Sequence, residues 1–172
     1  MKIEYIHASK FGNGATVAAE LKAQMAAKDV AVAVHHIREV DPRKLPDADL
    51  YLFSSPGRFG KPKRSARRFF EKVELPADTP YALLTTEMPP QPDKKTGRMP
   101  TQEEIERWQR VRPILTDLFG RKGLVQVAAE PVYVTAIKGP LEDGWQDKVA
   151  AFATRLLDAD ALRNRGGHHQ AA

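Results

Sequence analysis

Apolar positions along this chain alternate between two periods. A short apolar stretch over about residues 2–8 reads as a strand, and Val17, Ala18, Leu21 and Met25 then recur at helical spacing. A second strand is predicted from Val30 to Ile37 and a third from Leu50 to Phe53. Ala66, Phe69, Phe70 and Val73 follow at i, i+3, i+4, i+7, which predicts a second helix. A fourth strand is expected over Tyr81–Thr86. A third helix should open at Thr101-Gln-Glu-Glu104, a capping box after Pro100, and bury Ile105, Trp108, Val111, Leu115 and Leu118. The last strand, about Leu124 to Thr135, is interrupted at Glu130-Pro131, so it is expected at a sheet edge with a break. A final helix starts near Asp143 and buries Trp145, Val149, Phe152 and Leu156.

This alternation is the pattern of a parallel sheet with helices on both faces. The fold class expected is α/β, a doubly wound five-stranded parallel sheet of order 2-1-3-4-5. One domain spans 1–160, and the aperiodic tail 161–172 is expected to be disordered. In such sheets ligands bind beyond the carboxyl ends of the strands, where the winding reverses. That rule selects three loops, residues 9–14, 54–62 and 86–100.

The first loop carries the chemistry. Ser9, Lys10, Phe11, Gly12, Asn13 and Gly14 run from a strand into a helix. This brings free backbone N–H groups and the positive end of a helix dipole into one concavity, a natural seat for phosphate. The Gly-Lys-Ser/Thr ending of a P-loop is missing, and the two glycines lack the third of a dinucleotide fingerprint. The second loop, Ser54, Ser55, Pro56, Gly57, Arg58, Phe59, Gly60, exposes an aromatic ring suited to stacking on a planar ligand. The third begins at Thr85, Thr86, Glu87 and Met88 and continues to Pro100, long enough to serve as a lid or docking surface. The acceptor aspartate of a response regulator is absent, since the third strand ends Phe53-Ser54-Ser55.

Composition narrows the chemistry. The 172 residues contain no cysteine, which excludes disulfides, thiolate catalysis and Cys-ligated metals, so redox chemistry would need a bound cofactor. No apolar run approaches the roughly 18 residues of a membrane span, and a cytoplasmic location is expected. The net charge is +5. His7, His35 and His36 lack companion carboxylates or nucleophiles at catalytic spacing and read as structural; no metal site and no catalytic side chain are expected.

In register, Ser9-Lys10-Phe11-Gly12-Asn13-Gly14 resembles the phosphate loop Ser/Thr-x-Thr-Gly-Asn-Thr of the flavodoxin family, and Val17-Ala18 continues as that family's first helix does. The resemblance in order and length covers about residues 2–158. It implies a non-covalent FMN, its phosphate on the amides of residues 10–14 with the Ser9 hydroxyl. Its ring system would lie between the 54–60 and 85–88 loops. The family's glycine peptide near flavin N5 is matched first by Gly57 and second by Gly60. Electron transfer with redox partner proteins is the function implied, with an NAD(P)H-dependent quinone reductase or other FMN oxidoreductase as the alternative. Three departures stand out. Phe11 and Gly14 replace hydroxyl residues, the third loop lacks the usual stacking aromatic, and Arg58, Lys61, Lys63, Arg64, Arg67 and Arg68 make the expected mouth basic. The family's shuttles are mostly acidic, so an acidic partner is implied here. A non-flavin basic module gripping acidic proteins or nucleic acid is the third reading, and nucleic acid is the less favoured of those ligands.

Overall fold

The computed structural model describes the backbone of residues 1–167 and the side chains of residues 1–160. The strand β1 (Lys2–His7) leads into α1 (Asn13–Ala26), then β2 (Ala31–His36) and β3 (Leu50–Ser54). A small hairpin, β4 (Gly57–Arg58) and β5 (Lys61–Pro62), precedes α2 (Arg64–Glu71). Next come β6 (Pro80–Glu87), α3 (Gln102–Trp108), α4 (Val111–Gly120), β7 (Val125–Tyr133) and α5 (Trp145–Gly167). The main sheet has five parallel strands in the order β2-β1-β3-β6-β7, which is the order read from the sequence once the hairpin is set aside.

Strand periodicity builds two cores from one sheet. Ile3, Tyr5, Leu50, Leu52, Ala82 and Leu84 point to the face covered by α1 and α5, where they meet Val17, Leu21, Val149 and Phe152. The alternate residues Ile6, Tyr51, Phe53, Tyr81 and Leu83 meet Ala66, Phe70, Leu115 and Phe119 of α2 and α4. Phe53 stacks on Phe119 with ring centroids 4.5 Å apart and meets Phe70 edge-on at 5.3 Å. Burial on both faces explains the near-continuous apolar runs Leu50–Phe53 of β3 and Tyr81–Leu84 of β6, while β1 also buries Glu4, which pairs with His35 and Lys2.

Three elements depart from the sequence reading. The single third helix is two, because Gln109 leaves the helical region (φ −91°, ψ 73°). Pro113 accounts for the break, since its ring would clash with the carbonyl four residues earlier, that of Gln109. The capping box does form: Thr101 Oγ1 accepts from the Glu104 amide at 3.3 Å, and Glu104 Oε2 accepts from the Thr101 amide at 2.7 Å. The break turns Trp108 out of the core, and it is 72% exposed. The last strand runs unbroken through Pro131 to Tyr133, and its register shift falls instead opposite Tyr81/Ala82. As an edge strand, β7 has a ladder partner on one side only, so a residue without N–H is tolerated. The helix α5 continues to Gly167, and the remainder of the expected disordered tail, 168–172, lies outside the described residues. No described helix is long and apolar enough to cross a membrane.

Candidate functional site

Strand β1 ends with the Ala8 amide donating to the Ser54 carbonyl at 3.1 Å, and the chain then turns through Ser9–Gly12 into α1. Gly12 caps the helix at φ 94°, a left-handed conformation in which a side chain would be strained. Among the described residues no side chain caps the helix, and its first turn holds no acidic residue. The first helical amide to find a carbonyl is that of Thr16, on Gly12 O at 2.8 Å. The amides of residues 10–15 therefore donate to no protein acceptor among the described residues. Gly14 is buried, and a Cβ there would stand 3.3 Å from that of Ser9.

Two histidines hold this turn from behind. The Arg38 amide donates to His36 Nδ1 at 3.2 Å, which leaves the proton on Nε2 to donate to the Ser9 carbonyl at 3.1 Å. The Ser9 amide donates to His7 Nδ1 at 3.3 Å. Burial, reinforced by His36, lowers the His7 pKa below its ordinary value and so keeps that acceptor unprotonated.

The second wall is the β4–β5 hairpin. Its two turn residues, Phe59 and Gly60, both have positive φ, 50° and 70°, the backbone of the tight turns that suit twisted strands. Gly60 is required by a close approach, because a Cβ there would stand 1.7 Å from the Trp108 carbonyl oxygen. The Arg110 amide donates to Gly60 O at 2.7 Å, which ties the hairpin to the α3–α4 break. Phe59, at the tip, is 91% exposed.

Between these walls lies a cavity of about 450 Å³. Of the residues expected at the site, Ser9, Lys10, Phe11, Asn13, Gly14, Pro56, Gly57, Arg58, Phe59, Thr86 and Met88 line it. Gly12, Ser54, Ser55, Gly60, Thr85 and Glu87 do not; they shape the walls from behind. Ser55 Oγ, for example, accepts from the Lys63 amide at 3.1 Å and donates to the Pro56 carbonyl at 3.0 Å. Four lining residues escaped the sequence reading, Arg38, Ser65, Val134 and Ile137, and a fifth, Lys63, was read only as part of the basic mouth. Val134 and Ile137 belong to the loop after β7, anchored by the Val134 amide on Glu87 O at 2.8 Å and packed at Gly139 against Asn13. Neither Ile137, an isolated apolar residue on a loop, nor Arg38 carries a sequence pattern that marks it. Beyond Met88, the long third loop does not line the cavity but closes on itself, with Asp93 Oδ1 accepting from the amides of Lys95 and Thr96 at 2.9 and 2.8 Å.

By sequence, the chain matches no family model and no curated protein. By structure it is similar to Flavodoxin 2 from Bacillus cereus, at TM-score 0.69 and 17% identity, covering 92% of this chain and 99% of that one. It is also similar to the Streptococcus pneumoniae TIGR4 flavodoxin, at TM-score 0.65 and 14% identity over 92% and 99% of the two chains. The chain has the flavodoxin-like fold. Rubredoxin oxygen:oxidoreductase from Desulfovibrio gigas contains a similar unit, at TM-score 0.67 and 13% identity; the match covers 95% of this chain and 36% of that one.

In this flavodoxin-like frame the charges are unevenly placed. The carboxylate of Glu87, buried under the hairpin, accepts from Arg112 Nε at 3.0 Å and from Thr85 Oγ1 at 2.6 Å. Four cations, Lys10, Arg38, Arg58 and Lys63, line the cavity itself. Among the described residues, no carboxylate lines it. Lys63 Nζ donates to the Ala8 carbonyl at 3.4 Å, beneath the turn. Burial lowers the Lys63 pKa, and repulsion from Arg38 and Lys10 adds to it.

Proposed function

We propose that this protein binds FMN in the cavity and transfers electrons between partner proteins. The observation that carries the reading is the nest of unpaired amides at residues 10–15, opening onto a cavity whose other walls are the hairpin and the end of β6. A terminal phosphate meets the amides of residues 10–14 and the Ser9 hydroxyl. A planar ring system fits between Pro56–Phe59 and Thr86–Met88. The closeness of Gly14 to Ser9 supports the fit, since a larger residue at 14 would crowd the hydroxyl.

Bound FMN supplies reversible one- and two-electron chemistry. The chain's own residues orient the ligand, keep water from its buried side and set the local charge. The exposed Phe11, Phe59 and Ile137 around the mouth provide an apolar rim. Lys10, Arg38, Arg58 and Lys63 favour negative charge within the cavity, which raises the potential of a ligand that gains electrons there. Outside it, Lys61, Arg64 and Arg68 are exposed on the hairpin and α2, and the partner surface that complements them is acidic.

Titration of the apoprotein with FMN and with riboflavin tests the reading. FMN should bind at least about tenfold more tightly, the worth of one charge-assisted phosphate contact. Equal affinity overturns it.

A further inference from the structure

The amide nest accounts for part of the anion-binding end of the cavity. Three cations from three different segments also line it: Lys10 from the turn after β1, Arg38 from the turn after β2, and Lys63 from the residue that precedes α2. None of the three forms an ion pair among the described residues. They are close enough for Arg38 and Lys10 to repel Lys63, and Lys63 Nζ sits on the carbonyl of Ala8, next to the nest. Such a grouping of like charges destabilises the protein until an anion arrives.

A second helix start faces the same place. In α2 the first amide to find a helical carbonyl is that of Arg67, on Lys63 O at 3.0 Å, and no side chain caps the helix. Ser65, one residue into α2, lines the cavity. The positive ends of α1 and α2 and three side-chain cations thus open onto one cavity. A phosphate monoester carries about −1.5 to −2 charge at neutral pH and offers three acceptor oxygens, which matches this set; an unphosphorylated alcohol does not.

We propose that Lys10, Arg38 and Lys63 form a cationic clamp for a dianionic phosphate monoester. Arg38 and Lys63, both outside the phosphate loop, decide the preference for phosphorylated over unphosphorylated ligands. That the ligand is FMN rests on the function proposed above; the clamp itself specifies only the phosphate.

The test measures binding of FMN, riboflavin and inorganic phosphate to the apoprotein and to Arg38→Met, Lys63→Met and the double variant. Lys72→Met, at the far end of α2, is the charge control, and circular dichroism checks that each variant is folded. Each single clamp variant should weaken FMN about tenfold or more and leave riboflavin within about twofold. Inorganic phosphate should compete with FMN in the parent and lose that ability in the double variant. An unchanged FMN-to-riboflavin ratio in the double variant overturns the clamp while leaving flavin binding intact. A fall of equal size in Lys72→Met also overturns it, since the effect would then be net charge. Inorganic phosphate binding that is lost in the double variant, with no flavin bound by any form, supports the clamp and removes FMN as its ligand.

Discussion

Arg112 Nε donates to Glu87 Oε1 at 3.0 Å, directly behind the hairpin that walls the cavity. The other carboxylate oxygen, Oε2, is buried with no partner, so the guanidinium is the only cation paired with this group among the described residues. Arg112→Ala leaves a buried charge uncompensated, and the expected loss is roughly 2–3 kcal/mol. This lies below the range for a fully buried pair because the Arg112 side chain is 29% exposed. Urea denaturation at neutral pH measures it, and Glu87→Gln in the Arg112→Ala background should recover part of the loss.

His7 makes the protein sensitive to acid. Burial and the facing His36 ring lower its pKa from the usual 6.5, while Glu39 opposes them more weakly. The unfolded chain therefore takes up a proton at a pH where the folded chain does not. Stability should fall as pH drops below 6.5 and level off once the folded state also protonates. Below that window, where the folded chain also protonates, Nδ1 can no longer accept from the Ser9 amide, and the turn loosens there. Comparing urea midpoints of the parent and His7→Asn between about pH 7 and pH 5 isolates the effect: the variant's slope is the shallower.

Phe59 sets stability against binding. It holds φ 50° at a fully solvated tip, where Asn or Gly adopts that backbone with less strain. Phe59→Gly should stabilise the fold by about 0.5–1 kcal/mol, because the released strain exceeds the entropy gained by the unfolded chain. The same change should weaken FMN several-fold by removing an aromatic face from the cavity wall. Thermal denaturation and flavin titration on one preparation give both signs.

Gly60 tolerates nothing larger. Positive φ and the Trp108 carbonyl 1.7 Å from a new Cβ act together, so Gly60→Ala must move the hairpin off the α3–α4 break. A loss of roughly 2 kcal/mol or more is expected. The Arg110 amide, released from Gly60 O, should lose hydrogen-exchange protection.

The exposure of Trp108 has an optical consequence. In Trp145→Phe, the remaining indole should be quenched by acrylamide nearly as readily as the free amino acid. In Trp108→Phe, the half-buried Trp145 should be protected. Equal quenching would return Trp108 to the core.

The position of Trp108 shows how far local reasoning reaches. Spacing from Ile105 to Leu118 satisfies a single amphipathic helix, and that periodicity concealed the one contrary residue, Pro113, whose excluded carbonyl belongs to Gln109. The turn into α1 was legible because what shapes it lies within six residues: a strand end, Gly12 for positive φ and the uncapped start of α1. The loop after β3 was legible as a cavity-facing segment but not as a hairpin, since strands of two residues carry no periodicity. Ile137 was passed over because an isolated apolar residue on a loop has no pattern to reveal it.

Residue order alone determined the alternation of strands and helices, the two-faced burial of the central strands and the Ser9–Gly14 turn. Each depends on interactions between neighbours or on a fixed helical or strand period. Only the tertiary structure decided that Arg38, Ser65 and Ile137 line the cavity onto which that turn opens. Their sharing of it follows from parallel strands in register, whose crossovers bring the loop after each strand to the same edge of the sheet, so residues far apart in sequence share one cavity.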